Sequence, residues 1–241
     1  MKELLFYIVI LLSNIIQGIT GFAGTILAMP FSIRLVGMDT AVPVLNLLGL
    51  LSGIYVFAGN WKKVDWKVLR HVVIIMGLSL IVGIQLKDLL SGNPRLLYII
   101  LGLIVLIIAI QGLVTFKRGS KPAINDHILT LILIAAGLVH GMYVCGGPLL
   151  ISYMTRKLPE KASFRATIST VWIFLNGMLF FSHIYSGAWT FEVIKSGLIS
   201  VPFLLGGMFI GGKLYSKMSQ KFFVLLTYVL LLIAGISLFF K

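Results

Sequence analysis

Two clusters of small and polar residues, each set inside a long apolar stretch, are where this sequence has the means to bind a ligand. The first reads Gln17-Gly18-Ile19-Thr20-Gly21-Phe22-Ala23-Gly24-Thr25, with Met29-Pro30 following, inside the apolar stretch 3–36. The second, Ala136-Gly137-Leu138-Val139-His140-Gly141-Met142-Tyr143-Val144-Cys145-Gly146-Gly147-Pro148, interrupts the stretch 128–155. Where glycines break an apolar helix, the helix that restarts has free N–H groups carrying about half a positive charge, and such an end attracts anions. Gly146-Gly147-Pro148 suits this chemistry best, since glycine admits close backbone approach and proline fits a first helical turn. Gly21, Gly24 and Thr25 are the first cluster's counterpart, with Pro30 falling later.

Other side chains near these breaks carry two readings each. His140 is a proton-coupling group or anion partner, or else a hydrogen-bonded structural histidine. Gly18, Gly137 and Gly141 either line a site or let helices pack closely. Asn46 and Thr167 stand five residues after Ala41 and Ala162, so they occupy equivalent places in two halves; they donate to an oxyanion or bond neighbouring helices. Ser52, Ser169, Thr170 and Asn176 share that ambiguity. Arg165 guards an anion's entrance or anchors a helix at the interface. Cys145 is the single cysteine, which excludes an intramolecular disulfide, and with no activating partner beyond His140 it is not read as a nucleophile.

The carboxylates point the same way by their position. Glu3, Asp39, Asp65, Asp88, Asp126, Glu160 and Glu192 all fall in connectors or at the ends of apolar runs, so a transported cation lacks its usual intramembrane ligands. No metal or cofactor is expected. Paired intramembrane carboxylates, H-E-x-x-H and G-x-S-x-G are missing, which argues against an enzyme.

The elements that must hold these breaks are membrane helices. Hydrophobic residues make up 59% of the 241 positions and charged residues only 11%, and the mean hydropathy is +1.06; a soluble domain has about 25% charged residues. The apolar runs have helix length without strict alternation, which excludes a barrel. Besides the two interrupted stretches, spans are expected over about 41–59, 68–86, 95–115, 164–184, 193–212 and 221–240. The N-terminal run lacks a small-x-small cleavage site and is read as mature structure.

The chain divides at its midpoint into residues 1–116, a cytoplasmic linker 117–126 and residues 127–241. Val64-Asp65-Trp66-Lys67-Val68 aligns with Trp189-Thr190-Phe191-Glu192-Val193, and Val82-Gly83-Ile84-Gln85-Leu86 with Ile210-Gly211-Gly212-Lys213-Leu214, at nearly constant spacing. If each interrupted stretch is a returning hairpin, one side holds Lys62, Lys63, Lys67, Arg70, Lys117, Arg118, Lys121, Arg156, Lys157, Lys161, Arg165, Lys213, Lys217 and Lys221, most of the 20 Lys and Arg. If each stretch crosses once, the cations divide evenly, so the positive-inside rule selects hairpins. Each half is then a broken-helix hairpin plus three transmembrane helices. An odd number of crossings inverts one half relative to the other and puts both termini outside the cytoplasm. Arms such as 3–17 and 22–36 would be about 22 Å long, short of a bilayer core of about 30 Å. The net charge of +13 is then topogenic and lipid-facing, with no nucleic-acid partner implied.

In this order the motifs resemble the sulfite exporter TauE/SafE family, also called the TSUP anion permeases. The resemblance rests on Gly18 to Pro30, Gly137 to Pro148, Val64-Asp65-Trp66, and Lys161-Ala162-Ser163-Phe164-Arg165-Ala166-Thr167, and it spans nearly the whole chain. Ala28 and Met29 stand where many members carry a longer glycine run, and His140 where a small residue is more usual. The resemblance implies a prokaryotic plasma-membrane permease for sulfite or organosulfonates, with tip residues at Gly21, Phe22, Gly24 and Thr25 and at Gly141, Cys145, Gly146, Gly147 and Pro148. An anion channel, or a membrane subunit of a transport complex, is the alternative.

Overall fold

A computed structural model describes residues 2–89, 94–118, 125–143, 146–237 and 239. Among these the regular elements are helical: α1 (Lys2–Thr20), α2 (Ala23–Val36), α3 (Met38–Asn60), α4 (Trp66–Leu89), α5 (Pro94–Arg118), α6 (Asp126–Tyr143), α7 (Gly147–Lys157), α8 (Lys161–Tyr185), α9 (Phe191–Lys217) and α10 (Gln220–Ser237), with one 3₁₀ turn at Trp61–Lys63. The chain is an all-α, multi-pass membrane protein. Among the described residues α1, α3, α4, α8 and α9 are long and apolar enough to cross a bilayer, and α5 and α10 add shorter apolar runs at 105–114 and 220–233. Large apolar side chains such as Leu4, Leu78, Phe181, Leu198 and Phe209 stand exposed on these helices, as lipid-facing surfaces require.

The leading arm of the first hairpin differs from the expected half-helix, while α2 (Ala23–Val36) keeps to the expected 22–36. α1 does not stop at Gln17 but runs 19 residues to Thr20, about 28 Å, whereas α2 has 14 residues and α7 only 11. One interior glycine costs a helix about 1 kcal/mol, too little to break it when tertiary packing rewards close approach. Gly18, Gly137 and Gly141 therefore stay helical, and the first chain reversal waits for Gly21, whose φ of +83° only glycine adopts without strain.

Two compact units share the chain: residues 1–73 with 162–218, and 74–161 with 219–241. Each unit draws on both sides of the midpoint. In the first, α1 lies against α9 through glycines. A Cβ on Gly18 would lie 3.0 Å from the Met208 carbonyl oxygen, one on Gly207 would lie 2.9 Å from the Asn14 Cβ, and one on Gly211 would collide with the Ile15 carbonyl oxygen. In the second, α6 lies against α4 likewise. Gly137 approaches the Ser79 Cβ at 2.6 Å by the same measure, Gly141 abuts the Leu80 carbonyl, and Gly83 abuts that of Leu138. α5 and α10 also pack together there.

Two helix starts repeat as well. Asp65 Oδ1 accepts from the Val68 N–H at 2.9 Å at the start of α4, and Thr190 Oγ1 accepts from the Val193 N–H at 3.4 Å at the start of α9. Both are N-caps, at the two positions that the sequence alignment pairs.

Candidate functional site

The first hairpin tip is built by α1 and α2 and walled by α3 and α8. Gly21 closes α1 by donating its N–H to the Gln17 carbonyl at 2.7 Å. A Cβ at Gly21 would lie 2.7 Å from Ser169 Oγ and 3.2 Å from the Arg165 carbonyl oxygen. Gly21→Ala is therefore expected to lower stability by about 2 kcal/mol through left-handed strain and displacement of Ser169. Thermal unfolding in detergent measures it, and adding Ser169→Ala should recover only the steric part.

The N–H groups at the start of α2 are already engaged. Thr20 Oγ1 accepts from Phe22 and Ala23 at 3.4 and 3.3 Å, and Gln17 Oε1 accepts from Gly24 at 2.8 Å. Gln17 Nε2 in turn donates to Ser52 Oγ at 3.1 Å, and Ser52 donates to the Gly49 carbonyl at 2.9 Å. Gly24 makes this possible, since a Cβ there would lie 2.7 Å from the Gln17 Cβ. Phe22 is buried, edge-on to Phe164. A Cβ on Gly49 would meet the Asn176 amide nitrogen at 2.6 Å and Thr25 Oγ1 at 3.6 Å, so Thr25 and Asn176 converge over the bare backbone of α3. Asn46 donates to the Asn176 carbonyl at 3.1 Å, which fixes its amide orientation and leaves Oδ1 buried without a hydrogen-bond partner.

Arg165 is buried, at 5% exposure. Its Nε donates to the Gly18 carbonyl at 2.8 Å, and its guanidinium lies 4.4 Å from the centre of the Tyr215 ring. It thus satisfies a carbonyl in the last turn of α1, the negative end of that helix. Thr167 points elsewhere. Its Oγ1 accepts from the Asp65 N–H at 2.9 Å, so its hydroxyl supports the start of α4, apart from the Asn46–Asn176 pair. Thr167→Val should cost about 1 kcal/mol through the lost acceptor, read as a lowered melting temperature.

In the second hairpin, Gly146 is the N-cap of α7, and Gly147-Pro148 opens its first turn, as the sequence implied. A Cβ on Gly146 would collide with the Ala136 carbonyl and lie 2.7 Å from the Cβ of buried His140. His140 therefore stands to Gly146 as Gln17 stands to Gly24. Gly141 sits within α6 as a packing contact with α4, and Cys145 lies outside the described residues. Sequence reasoning missed Gln17 as a site residue; superposing the two hairpins on their glycines, which puts it opposite His140, would have found it.

Residues 6–238 match the family model described as Sulfite exporter TauE/SafE. The chain is 24% identical over 188 residues to the probable inner membrane transporter protein TsaS of Comamonas testosteroni, covering 74% of each chain. It is 23% identical over 203 residues to the probable sulfite/organosulfonate exporter TauE of Cupriavidus necator, covering 81% of this chain and 77% of that one. No solved structure matches it at a significant level.

Proposed function

This chain belongs to the sulfite exporter TauE/SafE family, which makes it a membrane transporter and not an enzyme, and from that we propose that it carries a small sulfur-containing anion by alternating access. Sulfite or an organosulfonate is the substrate class. The observation that carries the reading is the first tip: the start of α2 is ringed by Gln17, Thr20, Ser52, Ser169 and Asn176, all buried, inside a unit whose outer surface is apolar. Backbone and side-chain donors held away from water suit a dehydrated oxyanion.

The inverted repeat is part of the proposal, supported by reciprocal packing. Asn14, Ile15 and Gly18 stand at one constant sequence spacing from Gly137, Leu138 and Gly141. Ser79, Leu80 and Gly83 stand at another from Gly207, Met208 and Gly211. The contact of Asn14 with Gly207 is matched by Gly137 with Ser79, that of Gly18 with Met208 by Gly141 with Leu80, and that of Ile15 with Gly211 by Leu138 with Gly83. Each hairpin interlocks with the third span of the other half, the exchange that a two-fold relation between halves generates. With 1–116 and 127–241 as repeats, the charge division puts the linker in the cytoplasm and both termini outside, in a prokaryotic inner membrane.

Purified protein in liposomes, challenged on a solid-supported membrane with sulfite, sulfate, thiosulfate, small sulfonates and carboxylates, tests this. A saturable current with one sulfur oxyanion supports a carrier, a non-saturating one a channel. If radiolabelled or dye-reported flux is also silent for every sulfur anion, the proposal fails.

A further inference from the structure

Resting on that reading, we infer that Gln17 is a built-in occupant of the first anion seat, displaced when substrate binds and so setting its affinity. The carboxamide oxygen of Gln17 lies 2.8 Å from the Gly24 N–H, in the position an oxyanion's oxygen takes at a helix N-terminus. The assignment of oxygen and nitrogen is fixed by the partners, because a backbone N–H needs an acceptor and Nε2 donates to Ser52 Oγ. Gln17 is 4% exposed and Ser52 1%, so both lie out of reach of bulk solvent.

A second observation points to a ligand at the same tip. Ser169 is 1% exposed, its Oγ has no hydrogen-bond partner, and it stands 2.7 Å from where a Gly21 Cβ would lie. A buried hydroxyl left idle beside a tip whose backbone amides are engaged by neutral side-chain oxygens describes a seat closed by a surrogate. An anion entering there takes the Gly24 N–H from Gln17 and gains the Ser169 hydroxyl as a donor. The released carboxamide remains tethered to Ser52 and closes the seat again when the substrate leaves.

Competition of this kind makes observed affinity the intrinsic affinity multiplied by the fraction of open seats, and two substitutions move it in opposite directions. Gln17→Ala removes the occupant and leaves the Gly24 N–H wanting an acceptor, so sulfite should bind about tenfold tighter. Gln17→Glu keeps the side chain's shape but installs a carboxylate on the same N–H, a tethered anion, so sulfite should bind at least about tenfold more weakly. A residue that merely caps α2 would not tighten binding when truncated.

The measurement is calorimetric titration of sodium sulfite, and separately sodium ethanesulfonate, into the purified full-length wild type and both variants, with melting curves to confirm folding. Opposite shifts in the two variants are the expected result. Unchanged affinity in both variants, or weakening in both, overturns the role of Gln17 while leaving the transport reading in place. Should Gln17→Ala fail to fold, Gln17→Glu decides alone, wild-type affinity overturning the inference. A folded wild type that binds neither anion overturns the transport reading, and this inference with it.

Discussion

Gly207→Leu and Gly211→Leu will each leave little folded protein in the membrane, while Gly206→Leu and Gly212→Leu will be recovered close to wild-type yield. The four positions form two adjacent pairs on α9, so composition, depth and helix propensity are matched within each pair. Only their neighbours differ. A Cβ on Gly207 would lie 2.6 Å from the Leu11 carbonyl oxygen, and one on Gly211 would collide with that of Ile15. Gly206 has ordinary clearance, 3.5 Å to Leu11 Cδ1, and Gly212 faces open space. Backbone cannot swing aside as a side chain can, so α1 and α9 would have to separate along the contact. Association of membrane helices depends on close packing, with no hydrophobic gain to replace it. The cost should exceed the usual 1–3 kcal/mol of overpacking, at roughly 3 to 5 kcal/mol. Size-exclusion profiles and melting curves in mild detergent measure it, and a folded Gly211→Leu would mean that this interlock does not hold the unit together.

The same interlock shows where sequence reading succeeds and where it stops. Helix-length apolar runs made the spans of α3, α4, α8 and α9 legible, and the paired entries Asp65 and Thr190 both prove to be N-caps. A glycine, however, looks the same in sequence whether it breaks a helix or admits a neighbour. Gly18 and Gly141 do the second, and only the partner helix, distant in sequence, reveals it. The polar residues failed to resolve for a related reason. Counting five residues from Ala41 and Ala162 pairs Asn46 with Thr167, yet a helix face is set by rotation about its axis, which counting from a connector does not fix. Asn46 turns to Asn176 and Thr167 to Asp65. Gln17 was hidden because its significance depends on Gly24, seven residues on, which the reversal at Gly21 folds back against it.

Arg165→Met should reduce anion flux by about a hundredfold or more, whereas Arg165→Lys should retain a measurable fraction of it, about a tenth. Among the described residues Arg165 is the one buried lysine, arginine or carboxylate, and none of the carboxylates is paired with it. A bare guanidinium is costly away from water. The Gly18 carbonyl and the Tyr215 face offset part of that cost without cancelling the charge. A positive charge with no carboxylate partner therefore stands at the Gly18 carbonyl, in the last turn of α1 before the reversal at Gly21. It adds to the partial charge at the start of α2. Removing it takes away the long-range attraction for an anion and leaves the Gly18 carbonyl unsatisfied, at about 1–3 kcal/mol of stability. Lysine restores the charge but not the planar group that bonds the carbonyl and stacks on tyrosine together. A purely anchoring role predicts the reverse pattern: Arg165→Met and Arg165→Lys would change melting temperature yet leave flux per folded molecule alike. Flux normalised to folded protein in liposomes separates the two, and equal normalised flux in both variants would remove Arg165 from the anion's path.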